Sequence, residues 1–535
     1  MTNTGDVAGK DVVEVYYNPP YINGGIEKAS ANLIAYEKTD LLEPGASQKV
    51  TISFTAEDMA SYDESGNGHY VLEAGNYEIS INSDSHNQID SQIYRVTDDI
   101  VYDENSSRST DKAAAKNQFD FARGNLTYLS REDGFANYRE ALAAPTTYSM
   151  PDDDKAMFVN NSNFEPEEDT SVTMPTTGAK NDITILELRG ADYDDEKWND
   201  LLDNLTIDEM VDMIALGGYQ TAPAKSIDKI ATTDLDGPAS LNNNFTGVGS
   251  IGFPAEVMLA NSWNVELAYE FGETIGMMAD DMNVSGWYAP AMNIHRSAFG
   301  GRDFEYYSED PLLSGKFAAN AVEGAKSRGV YAYIKHFALN DQETNRWEMI
   351  CVWANEQAIR ELYLKPFEIA VKEGGATALM SSYNYIGTQW AGSSAPLLIN
   401  VLRNEWGFKG AVITDYFADF GYMDATRSIY NGGSSCLINR DVTTNYITDT
   451  KNPVTVSHMR DACHDILYTA VNSRGFEEEN LTSGPMIWQI ILVVVDVVLA
   501  VLLILFEVFI VRNGYKKRKS MVIKVSEATQ GESNE

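Results

Sequence analysis

The feature that most constrains the fold of this chain is an alternation of strand-like and helix-like segments between residues 195 and 475. Short apolar or β-branched runs are followed there by longer segments whose apolar residues recur at the helical period. Repeated units of this kind are typical of a parallel α/β fold, and their number favours a closed barrel. We therefore predict an α/β protein whose largest domain, residues 195–475, is a (β/α)8 TIM-like barrel.

The segments of this barrel can be placed along the sequence. Asn264 and Asp310 suit helix N-caps, and Pro311 suits a first helical position. The active site of such a barrel lies at the C-terminal ends of its strands. The predicted strands cover 230–233, 286–289, 331–334, 378–381 and 411–414, and the clearest helices cover 264–282, 311–327 and 355–372.

Composition narrows the possible partners. A net charge of −39 leaves nothing to neutralise phosphates, so nucleic acid is excluded as a partner. Three cysteines, Cys351, Cys436 and Cys463, are odd in number and widely spaced, which indicates free thiols. The histidines are scattered and no HExxH motif occurs, so we predict no metal and no cofactor.

The two ends of the chain differ. Met1 to Lys10 lacks the features of a signal peptide, whereas residues 486–511 form an apolar run long enough to cross a bilayer. Basic residues in 512–535 follow the run, which predicts a single-pass protein of the cell membrane with an extracellular catalytic domain and a cytoplasmic C-terminus. Asp496 interrupts the run, and a buried amphipathic helix is the alternative interpretation. An external protein needs an export signal, so we expect the true beginning to lie upstream.

Two further segments precede the barrel. Residues 1–98 contain β-branched and aromatic runs at 12–17, 48–54 and 76–81, punctuated by Pro and Gly, and they predict a β-sandwich that is incomplete at its N-terminus. Residues 99–194 are rich in Asp, Ser, Asn and Thr with weak periodicity. This composition predicts an acidic linker that crosses the surface with a few short helices.

Candidate chemical groups stand at the predicted strand ends. Asp415 ends one strand beside the ring of Tyr416, a placement suited to attack on the anomeric carbon of a sugar; an N-cap of the next helix is the alternative. Lys335 and His336 end another strand and could grip vicinal sugar hydroxyls, or be a surface lysine and a core histidine.

Other strand ends and loops add weaker candidates. Asp236 lies in a DGP turn, and Tyr383 follows a strand that ends in two serines. Arg302 and Arg346 lie in loops beyond strands, where they could order the carboxylates.

Five motifs together resemble glycoside hydrolase family 3. DGP, GRDFEYYSEDP, KHFALNDQETNR, MSSYN and VITDY occur in the order of that family, after an opening helix that reads WNDLLDNLTIDEMVDM. The resemblance covers roughly residues 195–475, and 1–98 resembles the fibronectin type III-like domain of the family. The domain order, with the sandwich before the barrel, resembles the permuted branch, whose α/β-sandwich domain comes first and is expected to be missing here.

The resemblance implies retaining hydrolysis of terminal non-reducing β-D-glycosides, as in β-glucosidases. It makes Asp415 the nucleophile. It also places Asp236, Arg302, Lys335, His336, Arg346 and Tyr383 in the sugar subsite, with Tyr416 where many members have Trp.

The resemblance does not identify the residue that acts as the general acid/base. Retaining hydrolysis needs a second carboxyl group about 5–5.5 Å from the nucleophile, which the α/β-sandwich domain of the family normally supplies. Glu305, Glu309 and Asp341 are the candidates within this chain, and the first two look structural in the family motif.

Three functional hypotheses follow. The first is a membrane-anchored β-glucosidase-like hydrolase acting on β-linked oligosaccharides or aryl glycosides, impaired unless an α/β-sandwich partner domain supplies the acid/base. The second is a surface glycan-binding protein without turnover. The third is a misfolded fragment with no role, whereas a truncated gene product that needs a partner domain is a variant of the first hypothesis.

Overall fold

The computed structural model describes residues 1–438, 447–482 and 487–531. It divides the chain into two compact units, Met1–Phe476 and Glu477–Glu535. The first unit contains a β-sandwich, a connector and the domain that carries the strand-end motifs. The second unit contains the apolar C-terminal segment.

The sandwich pairs a four-stranded and a three-stranded antiparallel sheet. Its larger sheet has the order β2-β1-β5-β6 and its smaller sheet the order β3-β4-β7. Inward residues of both sheets, among them Val15, Tyr62 and Tyr77, form one buried core. The strands are β1 (Val12–Asn18), β2 (Asn32–Lys38), β3 (Ser61–Asp63), β4 (His69–Leu72), β5 (Gly75–Asp84), β6 (Asn87–Val96) and β7 (Ile100–Tyr102).

One of the three strands predicted for the sandwich is wrong. The runs at 12–17 and 76–81 lie in β1 and β5, but residues 48–54 form no strand. Ile52 and Phe54 still pack against the sandwich core. Their alternation therefore reflects burial of every second side chain, which an unpaired extended segment achieves as well as a strand does.

The connector is more than a surface linker. Its short helices α1 (Tyr138–Ala141) and α2 (Asp152–Met157) bury no residue, in line with the prediction. Phe119 and Ala122, in contrast, are buried in the core of the following domain. Apolar residues that stand singly or in small groups in a mainly polar segment give no periodic signal, so sequence analysis missed this contact.

The strand-end motifs belong to a mainly parallel sheet of the TIM-barrel type, here called the barrel domain (residues 197–476). Its strand order is β17-β16-β13-β11-β10-β9-β8. A small separate sheet has the order β12-β14-β15. The strands are β8 (Gln220–Thr221), β9 (Thr232–Leu235), β10 (Gly286–Trp287), β11 (Tyr331–Phe337), β12 (Cys351–Val352), β13 (Ala378–Ser381), β14 (Tyr385–Ile386), β15 (Gln389–Trp390), β16 (Ala411–Tyr416) and β17 (Ser435–Leu437).

This sheet differs from eight parallel strands. Within the described residues it has seven, and β8 pairs with β9 antiparallel. The connection between these two strands is too short for the crossover of a dozen or more residues that parallel pairing requires. The two ends of the sheet are linked by backbone hydrogen bonds, because the amides of Gly217 and Gly218 donate to the carbonyls of Cys436 and Ile438 at 3.0 and 3.1 Å.

Helices cover the sheet where the periodicity predicts them. Asp310 caps α7 by accepting from the Leu313 amide at 2.8 Å, and Asn264 caps α6 by accepting from the Glu266 amide at 3.2 Å, as predicted. The predicted helix at 355–372 is interrupted by a π-helical turn at Ile359–Tyr363. The helices are α3 (Lys197–Asn204), α4 (Ile207–Ala215), α5 (Glu256–Ala260), α6 (Val265–Asp281), α7 (Pro311–Lys326), α8 (Glu356–Ala358), α9 (Lys365–Lys372), α10 (Ala425–Tyr430) and α11 (Pro453–Val471), with a second π-helical segment at Pro396–Glu405.

A buried ionic cluster joins the connector to the barrel domain. The Arg360 guanidinium donates to Glu356 at 2.7 Å and to both oxygens of Glu405 at 2.7 and 3.0 Å. The amide of Phe119 donates to Glu356 at 2.6 Å, and the ring of Tyr62 from the sandwich lies 4.8 Å from the guanidinium carbon. All three charged side chains are almost fully buried.

The second unit consists of α12 (Glu478–Thr482) and the long helix α13 (Ile487–Gly531). Within α13, the segment Ile490–Lys519 contains an 18-residue window with a mean hydropathy of 3.1, and the segment is long enough to cross a bilayer. The run predicted at 486–511 lies mostly within α13, and residue 486 lies outside the described residues.

Candidate active site

The strand ends of the barrel domain bring the predicted residues close together. Lys335 and His336 lie in β11, and Asp415 lies near the end of β16. Asp236 follows β9 directly, and Tyr383 lies two residues beyond β13. Because β9, β10, β11, β13 and β16 pair in parallel, these side chains stand at the same edge of the sheet.

The Asp415 side chain is 13% accessible, and its Oδ2 atom is buried and unbonded among the described residues. Its Oδ1 accepts a hydrogen bond from the Tyr416 amide at 2.7 Å. Its Oδ2 has no hydrogen-bond partner among the described residues, and His336 Nε2 lies 3.7 Å away. Burial raises the pKa of Asp415, whereas nearby Arg302 and Lys335 oppose that shift. The free oxygen is thus available to a ligand, in a site with nearby positive charge.

His336 is held rigidly and in its neutral form. Burial, together with the neighbouring cations Arg302 and Lys335, lowers its pKa well below the usual value. Its Nδ1 faces the Tyr306 hydroxyl at 3.3 Å. The Asn293 side chain bonds both the amide and the carbonyl of His336, at 2.8 and 2.9 Å. When Tyr306 donates to Nδ1, the single imidazole proton stays on Nε2, which faces Asp415.

Lys335 and Asp236 form an ion pair beside His336. Lys335 Nζ donates to Asp236 Oδ1 at 2.9 Å, and the Asn244 amide group donates to the other oxygen at 3.1 Å. Burial raises the pKa of Asp236, but the Lys335 ammonium group, the Gly237 amide and Arg302 together outweigh burial and hold the pKa below its usual value. A carboxylate next to an ammonium group presents both an acceptor and a donor, which suits adjacent hydroxyls of a sugar.

Each of the two predicted arginines is fixed by a glutamate. Arg302 binds Glu305 through two hydrogen bonds at 2.5 and 3.1 Å. Arg346 donates to Glu343 at 2.6 Å. Glu305, one of the acid/base candidates, therefore has both oxygens engaged by a guanidinium group.

The other two acid/base candidates, Asp341 and Glu309, are not among the described contacts of Asp415. Asp341 pairs with Arg296 at 3.4 Å, and burial raises its pKa. Glu309 is exposed on the segment before α7. Neither side chain has a described contact with Asp415.

Two groups of aromatic rings border these polar residues. The ring of Tyr416 lies 5.9 Å from the ring of Phe245, which in turn contacts Tyr219 at 5.6 Å. The rings of Trp347 and Phe420 stack in parallel at 5.8 Å and contact Tyr383 edge-on. Sequence analysis had singled out only Tyr416 and Tyr383, because the other rings lie in loops without periodicity.

A buried carboxyl group lies behind the site. Glu256 in α5 is fully buried, and neither of its oxygens has a hydrogen-bond partner in the described part of the chain. The hydroxyl of Tyr307, close to it, is also unpartnered. Burial raises the pKa of Glu256 to about 8. Glu256 is therefore protonated at neutral pH.

This pKa predicts how stability depends on pH. A carboxyl group whose pKa is higher in the folded than in the unfolded chain stabilises the folded state fully at pH values below its usual pKa of 4.5. This stabilisation is lost as the pH rises towards the folded-state pKa of about 8. We expect Glu256→Gln to remove that loss, so that the variant gains stability relative to the native chain between pH 5 and pH 8. Urea unfolding at both pH values measures the difference. Equal differences at the two pH values would contradict the assignment.

A carboxylate among cations and aromatic rings, at the C-terminal edge of a TIM-barrel-type sheet, is an arrangement that suits a sugar-binding site. Comparison with known proteins agrees. Residues 240–432 match the glycosyl hydrolase family 3 N terminal domain, and residues 11–85 match a fibronectin type III-like domain. Residues 240–432 therefore carry the N-terminal domain of glycosyl hydrolase family 3.

Similar proteins carry the name β-glucosidase. The chain is 35% identical to "Beta-glucosidase A" of Butyrivibrio fibrisolvens over 78% of its own length and 50% of that protein. It is 33% identical to a β-glucosidase of Ruminococcus albus over 78% of its length and 43% of that protein. The structure of a Paenibacillus barengoltzii β-glucosidase superposes with a TM-score of 0.69 at 26% identity, covering 90% of this chain and 53% of the other. The chain thus spans about half the length of these relatives.

Proposed function

We propose that this protein takes part in retaining hydrolysis of terminal, non-reducing β-D-glycosides, with Asp415 as the nucleophile. The observation that carries the proposal is the unpartnered Oδ2 of Asp415, buried beside three cations and 3.7 Å from His336. A carboxylate oxygen that the fold leaves unbonded, in a site that buries it, is positioned for a ligand.

Sugar binding and nucleophilic attack each have candidate residues in this chain. The sugar hydroxyls are held by Lys335, Asp236 and His336. The ring of Tyr416 packs against the sugar ring. Asp415 Oδ2 forms a bond to the anomeric carbon while the bond to the leaving-group oxygen breaks. Water then attacks the same carbon and releases Asp415, which returns the sugar with its β configuration.

The general acid/base is proposed to come from an α/β-sandwich partner domain. Within the described residues, Glu305 is bonded to Arg302, Glu343 to Arg346 and Asp341 to Arg296. These contacts hold the three carboxyl groups on arginine side chains, and none of the three has a described contact with Asp415. Without a general acid, substrates with good leaving groups react and others lose about 10² to 10⁴ in rate.

The substrate class follows from the relatives. Both sequence relatives described above are named β-glucosidases. We propose β-linked gluco-oligosaccharides or aryl β-glucosides as substrates.

A fluorinated sugar tests this function. 2-Deoxy-2-fluoro-β-D-glucosyl fluoride carries a good leaving group and forms a long-lived bond to a catalytic carboxylate. We expect mass spectrometry to find one label on the peptide that contains Asp415. Glucose binding without any label would instead support a glycan-binding protein.

The C-terminal helix is proposed to anchor the protein in the cell membrane. The length and hydropathy of Ile490–Lys519 support a single span, and the basic residues that follow residue 511 support a cytoplasmic C-terminus with the catalytic domain outside. We expect the full chain to stay in the membrane fraction after extraction with alkaline carbonate. A matched chain that ends at Phe476 should remain in solution, and extraction of the full chain would refute the anchor.

A further inference from the structure

We propose that the membrane-spanning part of α13 associates with the same helix of a second copy of this chain through one polar face. This face, here called the polar seam, consists of positions 493, 496, 500, 503, 507, 510 and 514. The inference rests on the proposed membrane anchor and goes beyond the proposed hydrolysis, because the seam lies outside the first unit, Met1–Phe476.

The polar and small residues of the apolar run all lie on this one face. Between residues 490 and 511 the polar residues are Asp496 and Glu507, and the small one is Ala500. Every other residue of that stretch is Val, Leu, Ile or Phe. The helix is continuous over these positions, so at 3.6 residues per turn the three side chains project within about 20° of a common direction.

The spacing of the polar seam is that of two helices packed along each other. Its positions are separated alternately by three and four residues, which is the 3.5-residue repeat of a left-handed coiled coil. Ala500 and Gly514 lie on it, and small residues let two helix backbones approach closely in a bilayer. The seam therefore has both the period and the small side chains of a helix–helix contact.

Neither carboxyl group has a polar neighbour along its own helix. Side chains on a helix meet those three and four residues away. For Asp496 and Glu507 these positions are all apolar: Leu492, Val493, Leu499 and Ala500 for the first, and Leu503, Ile504, Ile510 and Val511 for the second. Asp496 lies about 9 Å along the helix from Ile490, at a depth where contact with lipid is costly and a polar partner is needed.

A second copy supplies this partner at the correct depth. Copies of one chain cross the bilayer in the same direction, so a two-fold contact places each seam residue beside its own counterpart. Asp496 then meets Asp496 of the other copy, and two carboxyl groups held together in this way share a proton through one hydrogen bond. A different helix would need polar or basic residues at two levels about 16 Å apart.

Energy transfer between two pools of the full chain tests the polar seam. One pool carries a donor dye and the other an acceptor dye at the N-terminus, and both are reconstituted together in phosphatidylcholine vesicles. We expect transfer in the native chain to rise with the ratio of protein to lipid. Asp496→Val should weaken the association about three- to tenfold, the range of one interhelical hydrogen bond in a bilayer.

Two matched variants examine the geometry of the contact. Ala500→Phe places a bulky ring on the seam and should weaken the association at least as much as Asp496→Val does. Val498→Phe places the same ring on the opposite side of the helix and should associate like the native chain. Equal association of the two phenylalanine variants, or stronger association of Asp496→Val, would overturn the proposal.

Extraction with alkaline carbonate separates failure of the seam from failure of the anchor, and it also shows that each variant is inserted. If the native chain stays in the membrane without energy transfer, the second copy is the wrong occupant and the anchor stands. If carbonate extracts the native chain, the anchor is wrong and the seam falls with it. Neither result bears on hydrolysis, which the fluorinated sugar tests separately.

Discussion

Asp415→Asn is expected to abolish labelling by the fluorinated sugar and to lower hydrolysis of an aryl β-glucoside at least about a thousandfold. The amide has the shape of the carboxylate but cannot form a stable bond to the anomeric carbon. The Tyr416 amide bond at 2.7 Å requires only an oxygen acceptor, so the variant should fold like the native chain. Mass spectrometry and initial rates measure the two effects.

Asp341→Asn is the matched control for this substitution. Asp341 is also a buried carboxyl at the mouth of the sheet, but it pairs with Arg296 at 3.4 Å. We expect it to keep the label on Asp415. Labelling that survives in Asp415→Asn, or disappears in Asp341→Asn, would refute the assignment of the nucleophile.

The Asp341→Asn variant also tests whether Asp341 is the general acid/base. If Asp341→Asn is labelled normally but hydrolyses poor leaving groups far more slowly, Asp341 supplies the proton. Unchanged rates would leave the acid/base to the partner domain proposed above.

Arg360→Met is expected to destabilise the first unit by about 3–5 kcal/mol. The substitution keeps an unbranched apolar side chain but leaves Glu356 and Glu405 buried without the cation that both contact at 2.7 Å. The Phe119 amide still donates to Glu356, so part of its charge remains compensated. Urea unfolding followed by tryptophan fluorescence measures the change in unfolding free energy.

Arg328→Met provides the comparison at the surface. Arg328 contacts Glu273 at the same distance of 2.7 Å, but both side chains are substantially exposed. Exposed pairs contribute about 0–1 kcal/mol, because water screens the charges and competes for the hydrogen bonds. If the two variants lose equal stability, burial does not set the strength of the Arg360 cluster.

The helices and most barrel strands could be predicted from the sequence because each is defined by local periodicity. Asp310 and Pro311 mark the start of α7, and the predicted strand 378–381 is β13. The antiparallel β8 was missed, since a two-residue strand carries no pattern. Residues 48–54 were wrongly assigned to a strand, because alternation reports burial and contains no information about backbone pairing.

The sequence predicted the polar residues of the candidate site but missed most of its aromatic residues. Asp415, Lys335 and His336 stand at strand ends, where chain order and parallel pairing are enough to place them together. Trp347 and Phe420 are far apart in sequence and lie in loops. Only the folded loops bring their faces into contact.

The sequence by itself determined the fold class, the family and the polar residues at the strand ends, because periodicity and short motifs are properties of neighbouring positions. The tertiary structure decided which charges are paired. It engaged Glu305 with Arg302, and, within the described part of the chain, it left Oδ2 of Asp415 without a hydrogen-bond partner and buried Glu256 without a cation in bonding contact. Pairing and burial depend on distances between segments remote in sequence, and they set the pKa of each carboxyl group through desolvation and neighbouring charge.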